Sequence, residues 1–443
     1  MKLNSDLTKD KNLLRSLNFV ILGISFGVVF FNVTQGSPIA GLAKNVGFGD
    51  FLYGLMLALP VLGGVMQVFA SYFLEKNRKR KKIFLISGIF HRIPWIFIAF
   101  LPLLFNKGSY ILLFLLIFLM TFASISSSFT NVAFWSWMGD LIPEQIRGRF
   151  FGRRATIFTI VGMITGLAIG RFLDTHNNLY GFMIIFIFAA IMGLFDILAF
   201  IFVDDIPMKQ QKENLDIVNM FKATLKNNSF KHFMIFFVLW NFGLNVAGPY
   251  FNMYMIKDLK MSYFNIIFYT QIISNLATII TIPYVGKIVD RIGNRPMLLL
   301  SSSLLCFVPI LWCFTNAHNY KYLIAIISIL AGILWPIMDM GNNNLILKLS
   351  DSNQKSMYVA SINLFNAVFG NAIPVILGGF FIEHIAPYII ILFEKVNLHF
   401  VNYHMAFLLS GILRFFSMLY LKNKVNEPGA KSLRNEIRNR LSK

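Results

Sequence analysis

Four charged side chains stand inside otherwise apolar runs of this chain. Arg92, with His91 before it, falls near the middle of one run; Asp339, Asp196 and Arg414 fall within three others. An ionised side chain at the centre of a bilayer costs at least ~2.5–3.5 kcal/mol, so such a residue needs a partner or a task. A carboxyl group in a low-dielectric cavity can carry a coupling proton, which is the chemistry read for Asp339. A guanidinium can hold an anionic group or pair with an acid, which is the chemistry read for Arg92. The alternative for each is a structural ion pair or an interior hydrogen bond. His91 reads as structural, and Arg414 as an arginine that snorkels towards a membrane edge.

Amides, hydroxyls and tryptophans recur at helical spacing in the same runs. Thr121, Ser124, Ser128, Asn131 and Trp135 step by three or four, as do Asn241, Asn245, Gly248 and Asn252, and Trp335, Asp339 and Asn342. Ser25, Asn32 and Gln35 do so more loosely, and Gln271 with Asn275 and Asn363 with Asn366 add to the set. Such stripes mark a face turned to a cavity or to a neighbouring helix. Amide groups and tryptophan faces suit a sugar-like, hydroxylated ligand, with Trp135 and Trp335 stacking on its apolar faces. The other reading is helix joining by hydrogen bonds worth under about 2 kcal/mol each. A third feature is the loop SWMGDLIPEQIRGRFFGRR, Ser136 to Arg154. Its arginines and glycines could cradle a phosphate, touch nucleic acid or line a membrane edge.

The elements that must position these residues follow from composition. The chain has 443 residues, 56% hydrophobic and 14% charged, where a soluble chain would have roughly 45–50% and 25%. The excess is gathered in blocks long enough to cross a hydrocarbon core of ~30 Å as helices. Twelve spans are expected, at about 17–40, 50–74, 83–105, 109–139, 150–172, 180–203, 233–257, 263–288, 297–315, 320–347, 357–382 and 403–421. The fold class is therefore an all-α polytopic membrane protein of two six-helix bundles, 17–203 and 233–421. They are joined by a central loop, 204–232, and flanked by tails 1–16 and 422–443. The half-apolar connection 383–402 is expected on the outer surface. The first run is too long for a signal-peptide core and is read as an uncleaved helix. Cys306 and Cys313 are read as small buried residues; there is no disulfide framework and no zinc pattern.

Charge placement orients the chain. Of 40 Lys and Arg residues, only Lys44, Lys107, Arg171, Lys257, Lys260, Lys321 and Lys395 fall in the loops of one side, and Arg92 and Arg414 lie within spans. All others fall in the tails and loops of the opposite side, so both termini are read as cytoplasmic. A net charge of +20 distributed in this way is a positive-inside signature, and no nucleic-acid partner is expected. The halves also repeat: Glu75, Lys76, Arg80 and Ser87 at the end of the second span correspond to Asp290, Arg291, Arg295 and Ser302 after the eighth. Duplicated six-helix halves are a transporter architecture.

On these residues the chain resembles the major facilitator superfamily over about 17–422. GKIVDRIGNR, Gly286 to Arg295, is similar to the family's signature loop, and DLIPEQIRGR, Asp140 to Arg149, to its loop after the fourth span. The resemblance implies that the first, fourth, seventh and tenth spans line a central cavity. It also implies a gating role at the cytoplasmic face for Asp140, Arg147, Gly286, Asp290, Arg291 and Arg295. The alternative for these loops is topology and capping alone, with Pro143 breaking the helix and the arginines of the loop, Arg154 among them, holding the membrane edge. The candidate cavity residues are Asn32, Gln35, Ser128, Asn131, Trp135, Asn241, Asn245, Gln271, Asn275, Trp335, Asp339, Asn342 and Asn363. Gly162, Gly166 and Gly170 form a small-residue stripe for close helix approach.

The expected function is secondary transport of a small polar or amphipathic solute by alternating access in the cytoplasmic membrane. No cofactor is expected beyond a proton as coupling ion, no metal is expected, and the chain is expected to act as a monomer. Drug or metabolite efflux by proton exchange is the alternative within the fold. A receptor without transport and an integral-membrane enzyme are the alternatives outside it. The enzyme is disfavoured because no HxxxxD-type pair, Cys/His cluster or P-loop is found.

Overall fold

The computed structural model describes residues 11–208, 226–350, 355–394 and 400–427, and of residues 286–291, 355–357, 393 and 394 the backbone alone. Among the described residues, 12 helical stretches are long and apolar enough to cross a membrane. In chain order they are spans one to six at Lys11–Asn45, Asp50–Asn77, Arg80–Leu104, Tyr110–Leu141, Glu144–Thr175 and Leu179–Phe202. Spans seven to twelve are Asn228–Lys257, Tyr263–Val285, Asn294–Trp312, Tyr320–Leu349, Tyr358–Leu392 and Asn402–Lys424. No strand occurs among the described residues, as expected where every backbone polar group must be satisfied within its own segment.

Several spans are broken where the sequence forces it. Span one stops at Val33 and resumes at Ser37, with Gly36 at φ 65° and Pro38 in the first turn of the new helix. Span two tightens into a 3-10 segment over Leu62–Met66, after Pro60 and around Gly63. Span three turns at Ile93, with Pro94 starting its second helix directly after Arg92. Spans eight and eleven carry π-helical segments at Phe268–Ile272, Asn366–Ala372 and Phe381–Ile385.

Span eleven also runs to Leu392, so much of the expected connection 383–402 is helix. From sequence the span is expected to end at 382, just before Glu383 and His384. In the structure the Glu383 carboxylate accepts the Phe51 backbone N–H at 2.8 Å, and the helix continues through it.

The chain divides into two compact units. The N-unit comprises Met1–Phe48, Leu59–Asn214 and Ser262–Phe264; the C-unit comprises Gly49–Ala58, Leu215–Met261 and Asn265–Lys443.

In the N-unit, small residues bring spans together. A Cβ on Gly63 would lie 2.8 Å from the Ser124 hydroxyl, and Ser128 donates to the Gly63 carbonyl at 3.0 Å. A Cβ on Gly162 would lie 3.2 Å from Val28. Leu74, Phe84, Trp137, Ile146 and Phe200 belong to one buried apolar cluster of the unit. In the C-unit, Asp50 at the start of span two accepts from Tyr403 at 2.7 Å and from Lys257 at 3.0 Å.

Candidate functional site

The N-unit holds an open cavity of about 570 Å³, within the usual ~300–1,000 Å³ of small-molecule sites. Its wall takes residues from all six N-terminal spans: Gln35, Pro60, Arg92, Asn131, Arg154 and Asp196 are one from each. At its centre is a charge cluster. The Arg92 guanidinium donates to the Asp196 carboxylate at 2.9 Å, with both side chains about nine-tenths buried (10% and 11% exposed). Its other terminal nitrogen donates to His91 Nδ1 at 2.7 Å. An arginine has no lone pair to offer, so that ring nitrogen accepts and is unprotonated. The guanidinium carbon lies 3.9 Å from the centre of the Phe30 ring, a close cation–π contact.

Glycines make room for this cluster. A Cβ on Gly27 would lie 2.7 Å from Asp196 Oδ2, and one on Gly23 3.2 Å from Asp196 Oδ1. A Cβ on Gly193 would lie 2.6 Å from Arg92 Cδ. The ion pair therefore sits in a slot between spans one, three and six that larger residues would fill. The 104-residue separation of Arg92 and Asp196 hides the pairing from the sequence, in which the two charges stand singly. Gly23 and Gly27, four apart and one turn before Phe30, are the signal that points to it.

The candidates of span four divide. Ser124, Ser127, Thr130, Asn131 and Phe134 line the cavity. Ser128 is buried against span two, and Trp135 is 53% exposed and lies 5.5 Å from Phe151. The cavity face is thus rotated by one residue from the stripe that runs through Ser128 and Trp135. In span one, Gln35 lines the cavity. The Asn32 amide instead donates to the Gly162 carbonyl at 2.8 Å and to Thr165 at 3.0 Å, tying span one to span five. Arg154 is not a membrane-edge anchor. It lines the cavity, with its guanidinium 5.1 Å from the Phe134 ring.

The C-unit gathers amides. Asn245 Nδ2 donates to the Asn241 carbonyl at 3.0 Å, the Gly370 carbonyl at 3.0 Å and Asn371 Oδ1 at 2.9 Å. Asn366, Gly370 and Asn371 belong to a π-helical segment of span eleven, where the widened turn redirects carbonyls that a regular helix would use. Asn342 and Asn366 each have a buried amide oxygen without a partner among the described residues. Gln271, in the π-helical segment of span eight, is exposed; Asn275 after it is half-buried. Trp335 is half-buried, while Asp339 and Asn363 are exposed. Asp339 has no hydrogen bond or ion pair among the described residues. Arg414 is buried rather than snorkelling: it is 2% exposed and, among the described residues, reaches only the Leu305 carbonyl, at 3.4 Å.

The loop motifs form fixed contacts within each unit. Asp140 pairs with Arg80 at 2.6 Å, and Arg80 also donates to the Ser136 and Ile206 carbonyls at 2.7 and 2.8 Å. Arg147 donates to the Gly139 and Ile142 carbonyls at 2.8 and 3.3 Å, capping span four. Pro143 sits between the two helices, and its ring, which clashes with a helical residue before it, accounts for the extended Ile142. The side chains of Gly286, Asp290 and Arg291 lie outside the described residues. Arg295 donates its backbone N–H to Glu427 at 2.7 Å and its guanidinium to the Lys422 carbonyl at 2.8 Å. Glu427, 0% exposed at its side chain, further accepts from Lys348 and Asn294, each at 2.9 Å. Burial raises the Glu427 pKa, but the Arg295 N–H, the Asn294 amide and Lys348 together outweigh it and hold the carboxyl below its ordinary 4.5.

Among the described residues no group of three or more His, Cys, Asp or Glu could hold a metal ion. A search of curated proteins finds no match. Solved structures do resemble the chain. A mutant form of the nucleoside transporter NupG matches with a TM-score of 0.74 at 13% identity, covering 93% of this chain and 100% of that one. A D-xylose–proton symporter matches at 0.68 and 14%, covering 94% and 100%. A bacterial homolog of the human lysosomal transporter Spinster matches at 0.65 and 12%, covering 95% and 100%. These likenesses show the fold. The family model described as Major Facilitator Superfamily matches residues 16–374 and 271–443. With twelve spans in the arrangement of its solved members, this chain belongs to the major facilitator superfamily and is a membrane transporter, not an enzyme.

Proposed function

We infer that the chain is a secondary transporter that moves a small polar or amphipathic solute by alternating access, and that the N-unit cavity contacts the solute. The observation that carries this reading is the Arg92–Asp196–His91 cluster on the wall of an open cavity. A pair buried only for stability has no need of a cavity beside it, and well-packed apolar residues would serve stability as well. The Lys/Arg distribution supports cytoplasmic termini in a plasma membrane, and a monomer is taken as the working form. The Arg80–Asp140 pair and the Glu427-centred contacts at Arg295 lie at the basic loops and are assigned to the gate of that side.

Asp339 is assigned the coupling proton. It is a carboxylate on a membrane span with no cation partner among the described residues, so its proton can exchange without breaking an ion pair. Uptake into proteoliposomes with and without a pH gradient tests both parts. The solved relatives transport nucleosides and D-xylose by their names, so uridine and D-xylose make the first panel. Uptake by wild type that is driven by ΔpH, and that loses the drive in Asp339→Asn, is the expected result. Uptake indifferent to ΔpH in both proteins removes the coupling assignment. Wild-type flux in a folded Arg92→Leu/Asp196→Leu protein removes the cavity from the solute path.

A further inference from the structure

The cavity charges do not balance. Two arginines and one aspartate line the cavity, and the histidine beside Arg92 accepts a hydrogen bond rather than adding a charge. Arg92 is fully engaged by Asp196, His91 and the Phe30 ring. Arg154 is not. Among the described residues it has no ion pair and no hydrogen bond, its Nε is buried without a partner, and its guanidinium faces the Phe134 ring. A planar guanidinium in this state retains its forked donors for a carboxylate or phosphate. The cavity it lines is walled largely by aromatic rings: Phe30, Trp95, Phe134, Phe158 and Phe200.

We propose that the N-unit cavity binds a monoanionic organic solute with an aromatic or bulky apolar body, its carboxylate held by Arg154 and its body against the phenylalanine wall. The proposal rests on the reading of the cavity as the solute site. One anionic group brings the cavity to electrical neutrality, and a second would exceed it, since Asp196 already neutralises Arg92. A neutral sugar would leave Arg154 uncompensated. A cation would meet both arginines. The cavity volume fits a solute of the size of an aromatic carboxylic acid with room for water.

The test compares matched pairs that differ only in charge: benzoate against benzamide, and indole-3-acetate against indole-3-acetamide, with uridine and D-xylose as neutral hydroxylated solutes. Binding is read on the full chain in detergent by thermal shift and by quenching of tryptophan fluorescence. The expected result is stabilisation by the carboxylates at least tenfold lower in concentration than by their amides. Arg154→Gln should abolish that preference while leaving the weak amide binding in place, and Arg154→Lys should restore part of it. Equal binding of acid and amide overturns the proposal, as does an acid preference that survives in Arg154→Gln. Flux of the same panel in proteoliposomes separates this proposal from the transport reading. Uridine or D-xylose flux without carboxylate binding defeats the anion proposal and leaves transport intact. Carboxylate binding lost in Arg154→Gln, without flux of any solute, defeats transport and leaves the anion site.

Discussion

The two units solve the problem of polarity inside a membrane in opposite ways. The N-unit concentrates formal charge: one buried ion pair and one arginine without an ion pair among the described residues share a cavity with aromatic rings. The C-unit gathers mainly dipoles: asparagines on spans seven and eleven bond to each other and to π-helical carbonyls, and two charges within its spans, Asp339 and Arg414, stand apart from that amide group. Charge in a low-dielectric site is costly to leave unpaired, whereas an amide that loses one bond finds another. A solute that binds at the N-unit therefore meets fixed, high-energy recognition. The amides of the C-unit are suited to adjusting as helices move.

This contrast predicts a ranking. Asp196→Ala leaves Arg92 buried without its carboxylate and should destabilise the protein by about 3–5 kcal/mol. It should show as a large loss of folded protein in fluorescence-detected gel filtration. Arg92→Leu/Asp196→Leu should recover much of the fold and none of the transport. A double variant no better folded than Asp196→Ala would break the comparison at its stronger end. Next is Gly27→Val, which drives atoms into the Asp196 carboxylate, where a Cβ alone would lie at 2.7 Å. Overpacking of this kind costs roughly 1–3 kcal/mol, and a melting temperature equal to that of wild type would show the slot to be loose.

Asn245→Ala in the C-unit removes three hydrogen bonds, yet the loss should be only about 0.6–2 kcal/mol, because membrane amides re-pair. A loss as large as that of Asp196→Ala would erase the distinction between the units. The smallest effect concerns acid stability. Glu427 is held below its ordinary 4.5, so its contribution is fully present above the unfolded value. It disappears as pH falls through the lower folded value. The Glu427 contribution, read as the difference in thermal stability between wild type and Glu427→Gln, should be constant from neutral pH down to about 4.5 and shrink below it.

The architecture was legible because bilayer thickness sets span length. All twelve expected spans have counterparts; the largest boundary displacement is at the end of span eleven, which runs on past Glu383, whose partner N–H is far away in sequence. The candidate site was legible only in part. Gln35, Arg92 and Asn131 line the cavity, since polarity at helical spacing does mark a face. Ser128 and Asn32 carry the same signature yet serve helix contacts, because a hydroxyl or amide facing a neighbouring helix and one facing a cavity obey the same period. Arg154 is hard to place from sequence because four arginines in one loop look alike on paper, and only the last of them falls on the cavity face of span five.

Glu427 also bears on the order in which the molecule is made. It lies beyond span twelve, and it supplies the carboxylate that receives Asn294, the Arg295 N–H and Lys348 at the start of span nine and the end of span ten. During synthesis those donors leave the ribosome long before their acceptor. The loop at Arg295 must therefore wait, its cations facing water and lipid headgroups, until the last helix has been inserted. A release of the nascent chain before residue 427 would yield a protein with every span in place and this corner unfastened. Glu427 thus fastens the Arg295 corner only once span twelve is in place.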